Sequence, residues 1–259
     1  MNKSLVFVGA LLLAGTAHSQ VIFNDTFESP TFTAANLDGQ QGWADDGASL
    51  PGTGNYVVNN SRSAGSGTQS VRIGSNALSI EAYKTLSTPF GGGVNPVISV
   101  SADVWIDGTS ASTVFYGITG RIGNDRIAGL VASSSGLVRR TVLGTFVDVA
   151  GASVTTNAWN KFRYDVTYSS PGVASIQYFL NNAAITNSIS VNGLFAGNPA
   201  SVGNFSEVAL YTFNFGTSGT VGANFDNMLV QLTPVPEPAT LAILGLGAAM
   251  LRRRRKASK

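Results

Sequence analysis

The segment ISVSADVWID, residues 98–107, alternates strictly. Ile98, Val100, Ala102, Val104 and Ile106 fall on one side of an extended chain, and Ser99, Ser101, Asp103, Trp105 and Asp107 on the other. Strand side chains alternate with a period of two, whereas a helix would scatter these apolar residues around its circumference. The segment predicts a half-buried β-strand whose polar outer face carries a tryptophan. WNKFRYDVTY, residues 159–168, repeats the scheme, with Phe162, Tyr164, Val166 and Tyr168 inward and Trp159, Lys161, Arg163, Asp165 and Thr167 outward. After the turn SSPG, the run VASIQYFLNN places Ile176, Tyr178 and Leu180 on its apolar face and closes on Asn181-Asn182, so the two runs predict a hairpin.

The same punctuation runs through the chain. STVFYGITGRIG, RIAGLVASSS and LVRRTVLGTFVDV predict three further strands, and FSEVALYTFNF and ANFDNMLVQL the last two. Gly, Asn, Ser and Pro interrupt these runs every eight to twelve residues or so, as in an all-β sandwich or barrel. Neither an internal repeat nor a linker precedes Thr233, so residues 20–232 read as one domain.

The two ends read differently. MNKSLVFVGALLLAGTAHSQ combines Lys3, an apolar run from Leu5 to Ala14 and the small residues Ala17 and Ser19 before Gln20. This predicts a signal peptide over residues 1–19, helical during export, and a mature chain from Gln20. At the other end, Pro236-Glu237-Pro238 precedes thirteen residues, Ala239 to Leu251, that are almost wholly apolar, and then Arg252, Arg253, Arg254, Arg255 and Lys256. As a helix this run covers ~20 Å of a ~30 Å hydrocarbon core, a short transmembrane helix that needs flanking residues to span. The basic cluster stays cytoplasmic, which places the body of the protein on the far side of the membrane.

This tail, residues 233–259, resembles the PEP-CTERM sorting signal of Gram-negative bacteria that make exopolysaccharide. The resemblance implies recognition by an exosortase-type membrane processing enzyme, with membrane contact through this segment during export. It implies delivery to the cell surface or extracellular matrix. The body, from VIFNDTFESP and LDGQQGW through VSADVWID and the 159–182 hairpin to FDNMLVQL, resembles a concanavalin A-like or laminin G-like jelly roll. The expected fold is therefore an all-β jelly-roll β-sandwich, with a galactose-binding-like sandwich as the alternative.

Removing the signal segment and the basic tail, with Glu237 retained, leaves nine basic residues against fourteen acidic ones, a net charge of about −5. A nucleic-acid partner then loses its electrostatic support. The chain has no cysteine, and its single histidine, His18, lies in the signal segment. Disulfides, Ser-His-Asp and Cys-His nucleophilic sites and most zinc sites are thereby excluded from the mature protein.

Glycoside hydrolysis needs two carboxylates roughly 5 to 10 Å apart. Asp103 and Asp107 share a face, but four strand residues separate them by ~13 Å. The Glu-x-Asp-x-x-Glu strand motif typical of jelly-roll glycanases is absent. A lyase using Tyr116 with Arg121 is the remaining catalytic option. Binding a sugar asks for less, an aromatic plane with hydrogen-bonding groups beside it. Trp105 with Asp103 and Asp107, and Trp159 with Lys161, Arg163 and Asp165, offer those groups on faces read as non-core. Trp43 reads as a plug beneath the first long loop. The resemblance further implies a structural calcium ion joining the first and last strands, with Asp25, Glu28 and Asp226, beside Asn227, as its ligands. These readings predict a non-catalytic module that binds polysaccharide or exopolysaccharide. The alternatives are a passive matrix or biofilm protein and a polysaccharide hydrolase or lyase.

Overall fold

The computed structural model describes residues 19–45, 56–73, 80–90, 96–108, 114–122, 125–142, 144–170, 173–192, 205–214 and 222–234. The predicted signal helix, the transmembrane helix and the sorting residues Pro236, Glu237, Pro238 and Arg252 to Arg255 lie outside them. Among the described residues no helix is long and apolar enough to cross a membrane.

In chain order the strands are β1 Gln20–Asp25, β2 Trp43–Asp45, β3 Tyr56–Asn59, β4 Ser70–Ile73, β5 Ile80–Phe90, β6 Pro96–Ile106, β7 Val114–Ile122 and β8 Asp125–Ser133. They continue with β9 Leu137–Val142, β10 Thr145–Ser153, β11 Trp159–Ser170, β12 Val173–Leu180, β13 Ala183–Ala184, β14 Ile189–Asn192, β15 Phe205–Asn214 and β16 Ala223–Pro234. The larger sheet runs β13-β12-β11-β6-β16-β4-β3, with β1 also on β16 and β14 on β12. The smaller runs β10-β9-β8-β7-β15-β5-β2. Every pairing is antiparallel, and the chain passes between sheets at β1–β2, β2–β3, β4–β5, β5–β6, β6–β7, β10–β11, β14–β15 and β15–β16.

The alternation in β6 and β11 sets the larger sheet. Ile98, Val100, Ala102, Val104, Ile106, Phe162, Tyr164, Val166 and Tyr168 are all fully buried. Their register pairs Trp159 with Trp105, Lys161 with Asp103 and Arg163 with Ser101, so the polar faces of the two strands coincide as well. The predicted hairpin of β11 and β12 forms, and Asn181 and Asn182 carry its exit in left-handed conformations at φ 50° and 67°.

The run 137–149 departs from expectation. It holds two strands, β9 and β10, because the chain reverses at Gly144 (φ 78°), where the Thr145 hydroxyl donates to the Val142 carbonyl at 2.8 Å. The last strand also runs two residues beyond the expected domain limit, ending with Pro234 paired to Pro96.

The core between the sheets is aromatic. The Tyr164 ring meets Tyr178 and Phe205, each at 6.4 Å, and Tyr56 meets Phe225 at 6.1 Å. Trp43 is 1% exposed and plugs the β1 end of this core, as the sequence suggested. Gly120 on β7 makes room for the Tyr164–Phe205 contact, since a Cβ there would collide with both side chains. Gly120→Ala should therefore cost about 1–3 kcal/mol through overpacking. Phe205→Leu in the same chain should return part of that loss, a coupling that urea unfolding of the double-mutant cycle measures.

Candidate functional site

Three groups of side chains lie off the core. The first stands on the outer face of the larger sheet. Trp105 and Trp159 are opposite one another on β6 and β11, with ring centres 6.0 Å apart and planes at 70°. Both are half-buried. Asp107, just past β6, accepts from Trp105 Nε1 at 3.2 Å and from Arg72 at 2.5 Å. Arg62, from the chain before β4, lies 4.1 Å over the Trp105 ring, and its guanidinium is 3.8 Å from the Asp107 oxygen that accepts from Trp105. Burial works to raise the Asp107 carboxyl, but the Arg72 hydrogen bond and charge, the Trp105 N–H and Arg62 outweigh it and hold the carboxyl below the usual range.

Of the residues predicted to bind ligand, Trp105, Trp159 and Asp107 thus come together. Asp103 and Arg163 do not join them. Asp103 accepts from the Asn227 amide at 2.8 Å and belongs to the second group. Arg163 lies two outward positions further along β11, 3.7 Å over the Phe179 ring and 3.3 Å from Asp165. Arg62 and Arg72, which complete the tryptophan group, come from the chain before β4 and from β4 itself, distant in sequence from the tryptophans, and no local pattern in the chain announces them.

The second group lines a cavity of about 460 Å³ bounded by Thr26, Glu28, Ala64, Gly65, Ser66, Gly67, Asp226 and Asn227. A bulge in β16 builds it. Its pairing with β6 shifts register after Asp226, and Asn227 adopts φ 50°, a conformation asparagine tolerates. The Asp226 oxygens accept from the backbone N–H groups of Ala64 and Asn227 at 2.7 and 2.8 Å. Glu28 accepts from Thr68 N–H, Gln69 N–H and the Thr68 hydroxyl at 2.7 to 2.9 Å. Burial, reinforced by the nearby charges of Glu28 and Asp103 and opposed by the two N–H donors, pushes the Asp226 carboxyl up to about 7.

Of the three residues named as calcium ligands, Glu28 and Asp226 line this one cavity, and Asp25 is elsewhere. Its carboxylate pairs with Lys84 at 2.7 Å and accepts from Trp43 Nε1 at 2.8 Å, because β1 alternation turns it toward the plug. Among the described residues no cluster of three or more Asp, Glu, His or Cys assembles. What the cavity offers a hard cation is two carboxylates and neutral oxygens, a set that fits calcium only with water or backbone carbonyls added.

The third group, on the outer face of the smaller sheet, was not foreseen. Tyr211 and Phe213 of β15 and Phe146 of β10 form an aromatic row, with centroid separations of 5.5 to 6.1 Å. Arg126 lies 4.1 Å over Tyr211 and shares Glu81 with Arg121. The hydroxyls of Thr119 and Thr141 and the Nε of Arg126 are buried without hydrogen-bond partners. Gly129 leaves a gap between the two threonines, since a Cβ there would stand 2.6 Å from the Thr141 hydroxyl and 3.1 Å from Thr119. The alternation of FSEVALYTFNF carried this signal, because Tyr211 and Phe213 are in phase with Glu207 and not with the core residues Val208 and Leu210. Tyr116 faces the core, fully buried, while Arg121 turns to Glu81 on the outer face, so the two cannot act together as a lyase pair.

Comparison with known proteins agrees with this architecture. Residues 234–256 match the PEP-CTERM protein-sorting motif, which marks a chain for export and exosortase sorting at the Gram-negative cell envelope. The body shares its fold with an endo-1,3-beta-glucanase from Streptomyces sioyaensis, with a TM-score of 0.53 at 15% identity over 85% of this chain and 99% of that one. It shares it also with a conserved carbohydrate esterase from the Shiga toxin-encoding bacteriophage phi24B (0.52, 12% identity, 83% and 100% covered) and with the cellulose induced protein Cip1 (0.52, 14%, 80% and 96%). At these identities the likeness establishes the jelly-roll β-sandwich fold. No curated protein matches the sequence.

The Asp226 proton gives a signed pH prediction. Its pKa is raised in the fold from an ordinary 3.8 to about 7, so the native state keeps a proton that the unfolded chain has released. This contribution to stability is complete below about pH 4 and is lost as pH rises through 7. In metal-free buffer the protein should lose roughly 3 kcal/mol between pH 5 and pH 8 on this account. Asp226→Asn should flatten the difference, read as urea midpoints at the two pH values.

Proposed function

We propose that this is an exported surface or matrix protein whose sandwich is a non-catalytic glycan-binding module, released or retained through exosortase recognition of Pro236-Glu237-Pro238. The observation that carries the reading is the Trp105–Trp159 pair, two half-buried indoles set edge to face on a sheet face, with Asp107, Arg62 and Arg72 grouped at the Trp105 side. Indole planes take the apolar faces of pyranoses, and carboxylate and guanidinium groups take their hydroxyls. The names of the glucanase and the carbohydrate esterase that share the fold place carbohydrate chemistry on the same scaffold, which supports the reading at the level of class. Asp103 and Asp107 are engaged separately, with Asn227 and with Arg72, an arrangement suited to binding and not to paired acid–base chemistry.

Purified protein should be retained on at least one immobilised polysaccharide. Trp105→Ala or Trp159→Ala, folded by circular dichroism, should weaken retention about tenfold or more. Unchanged retention in both variants would move the ligand to the opposite face. There the partnerless Thr119 and Thr141 hydroxyls favour a second reading, in which Thr141→Val is the sensitive change.

Calcium in the β16 cavity belongs to the same proposal, with Glu28 and Asp226 as the protein carboxylates that hold it. Its role is to join the β1 end of the chain to β16 and neutralise two carboxylates that otherwise repel. Calcium should raise the melting temperature of the parent protein over that in EDTA, and should leave Asp226→Asn unchanged. Equal melting temperatures with calcium and with EDTA would remove the ion from the account.

A further inference from the structure

The charges around the tryptophan pair carry the reading further. Asp107 is one carboxylate facing two guanidiniums. Arg72 takes it at 2.5 Å and spends another N–H on the Asn224 side chain at 2.8 Å, so Arg72 is fixed on both sides. Arg62 is not. Its nearest Asp107 oxygen is 3.8 Å away, beyond hydrogen-bond distance, that oxygen already accepts from Trp105 Nε1, and the Arg62 side chain is 40% exposed. One positive charge is thus in surplus at the rim of the platform. Lys161 stands on the same face beside Trp159, and its cross-strand neighbour Asp103 is held by Asn227. The surplus is local, in a chain whose body carries more acidic than basic residues.

The stacking of Arg62 has a second consequence. A guanidinium centred 4.1 Å over the Trp105 ring covers that ring, and with 40% of the side chain exposed its N–H donors not facing Asp107 are open to a ligand. Such a fork matches a carboxylate or sulfate group. The neighbouring Trp159 ring is then the plane left for a sugar. We propose that the ligand of this platform is an anionic polysaccharide, a polymer bearing carboxylate or sulfate on its pyranose units. Trp159 takes the ring, and Arg62, stacked on Trp105, takes the acidic group. The proposal rests on the glycan-binding reading above and adds the charge class of the ligand.

Two matched pairs of polymers test it on the full-length protein: polygalacturonate against its methyl ester, and dextran sulfate against dextran, with single-stranded DNA as a further arm. The expected result is tighter binding of the charged member of one pair, weakened by salt. Arg62→Ala should lower affinity for the charged polymer about three- to tenfold more than affinity for its neutral partner. Arg62→Lys should recover only part of this, since an ammonium keeps the charge but not the fork. Preference for polygalacturonate assigns carboxylate, and preference for dextran sulfate assigns sulfate. Equal affinity for charged and neutral members, with Trp159→Ala still damaging, would overturn the charge assignment and leave the platform standing. No binding to any polymer would overturn both. DNA binding that equals or exceeds the polysaccharides and depends on Arg62 would overturn the polysaccharide class.

Discussion

The outer face of the larger sheet depends on one strand. β16 lies between β6 and β4 and also pairs with β1, so it ties the beginning, middle and end of the sandwich together. Its outward polar residues each hold a segment distant in sequence. Asn224 donates to Ser61 and Ser70 and accepts from Arg72, Asp226 accepts from Ala64, and Asn227 donates to Asp103. Buried polar groups carry a heavy desolvation cost when left unpaired, so these bonds fix the 61–72 segment against the sheet. That segment brings Arg62 and Arg72 to the tryptophans and Gly65 to Gly67 to the acidic cavity. Two groups that look separate on the surface therefore share one support.

Period-two alternation makes much of the sandwich legible in the sequence alone. For β6 and β11 it gave both the inward and the outward residues, because an antiparallel pair with one buried face has a register that cannot slip without exposing its whole apolar set. The same argument put Trp105 and Trp159 off the core. It could not put them opposite one another, since register between strands fifty residues apart depends on pairing and not on local pattern. Glycine 144 shows the converse failure. A single residue with φ 78° turned one apparent strand into a hairpin, and nothing in the composition of LVRRTVLGTFVDV marks that glycine as a turn and not a strand interior.

The candidate ligands divided for physical reasons as well. Glu28 and Asp226 belong to segments that the β1–β16 pairing brings together, so nearness to the two terminal strands put both at one cavity. Asp25 has the same claim by position, yet a strand residue serves one face only, and its face holds Lys84 and the Trp43 N–H. Asp103 was grouped with Trp105 because both are outward on β6. Two residues of rise separate them, and the bulge at Asn227 claims the nearer carboxylate.

The smaller sheet shows what alternation conceals when both faces are buried. Tyr211 is 3% exposed, Phe115 4% and Val131 fully buried, yet all three point away from the core between the sheets. A strand with apolar residues on both faces reads as a continuous hydrophobic run, so its faces cannot be separated by hydropathy. What separates them here is charge. Glu81, Arg121 and Arg126 join into one ion-pair group on the outer side, and the core side of the same strands has no such group among the described residues. A buried carboxylate between two guanidiniums is stable only while every member is paired, and the Arg126 Nε and the hydroxyls of Thr119 and Thr141 beside it are not. The outer face of the smaller sheet therefore has a small buried apolar cluster, flanked by the half-buried Phe146 and Phe213, and is incompletely satisfied in its polar part. On the larger sheet Asn224 and Asp226 are each partnered, Arg163 Nε and Asp165 Oδ1 further along β11 lack hydrogen bonds, and the surplus charge sits at the solvent-facing rim on Arg62.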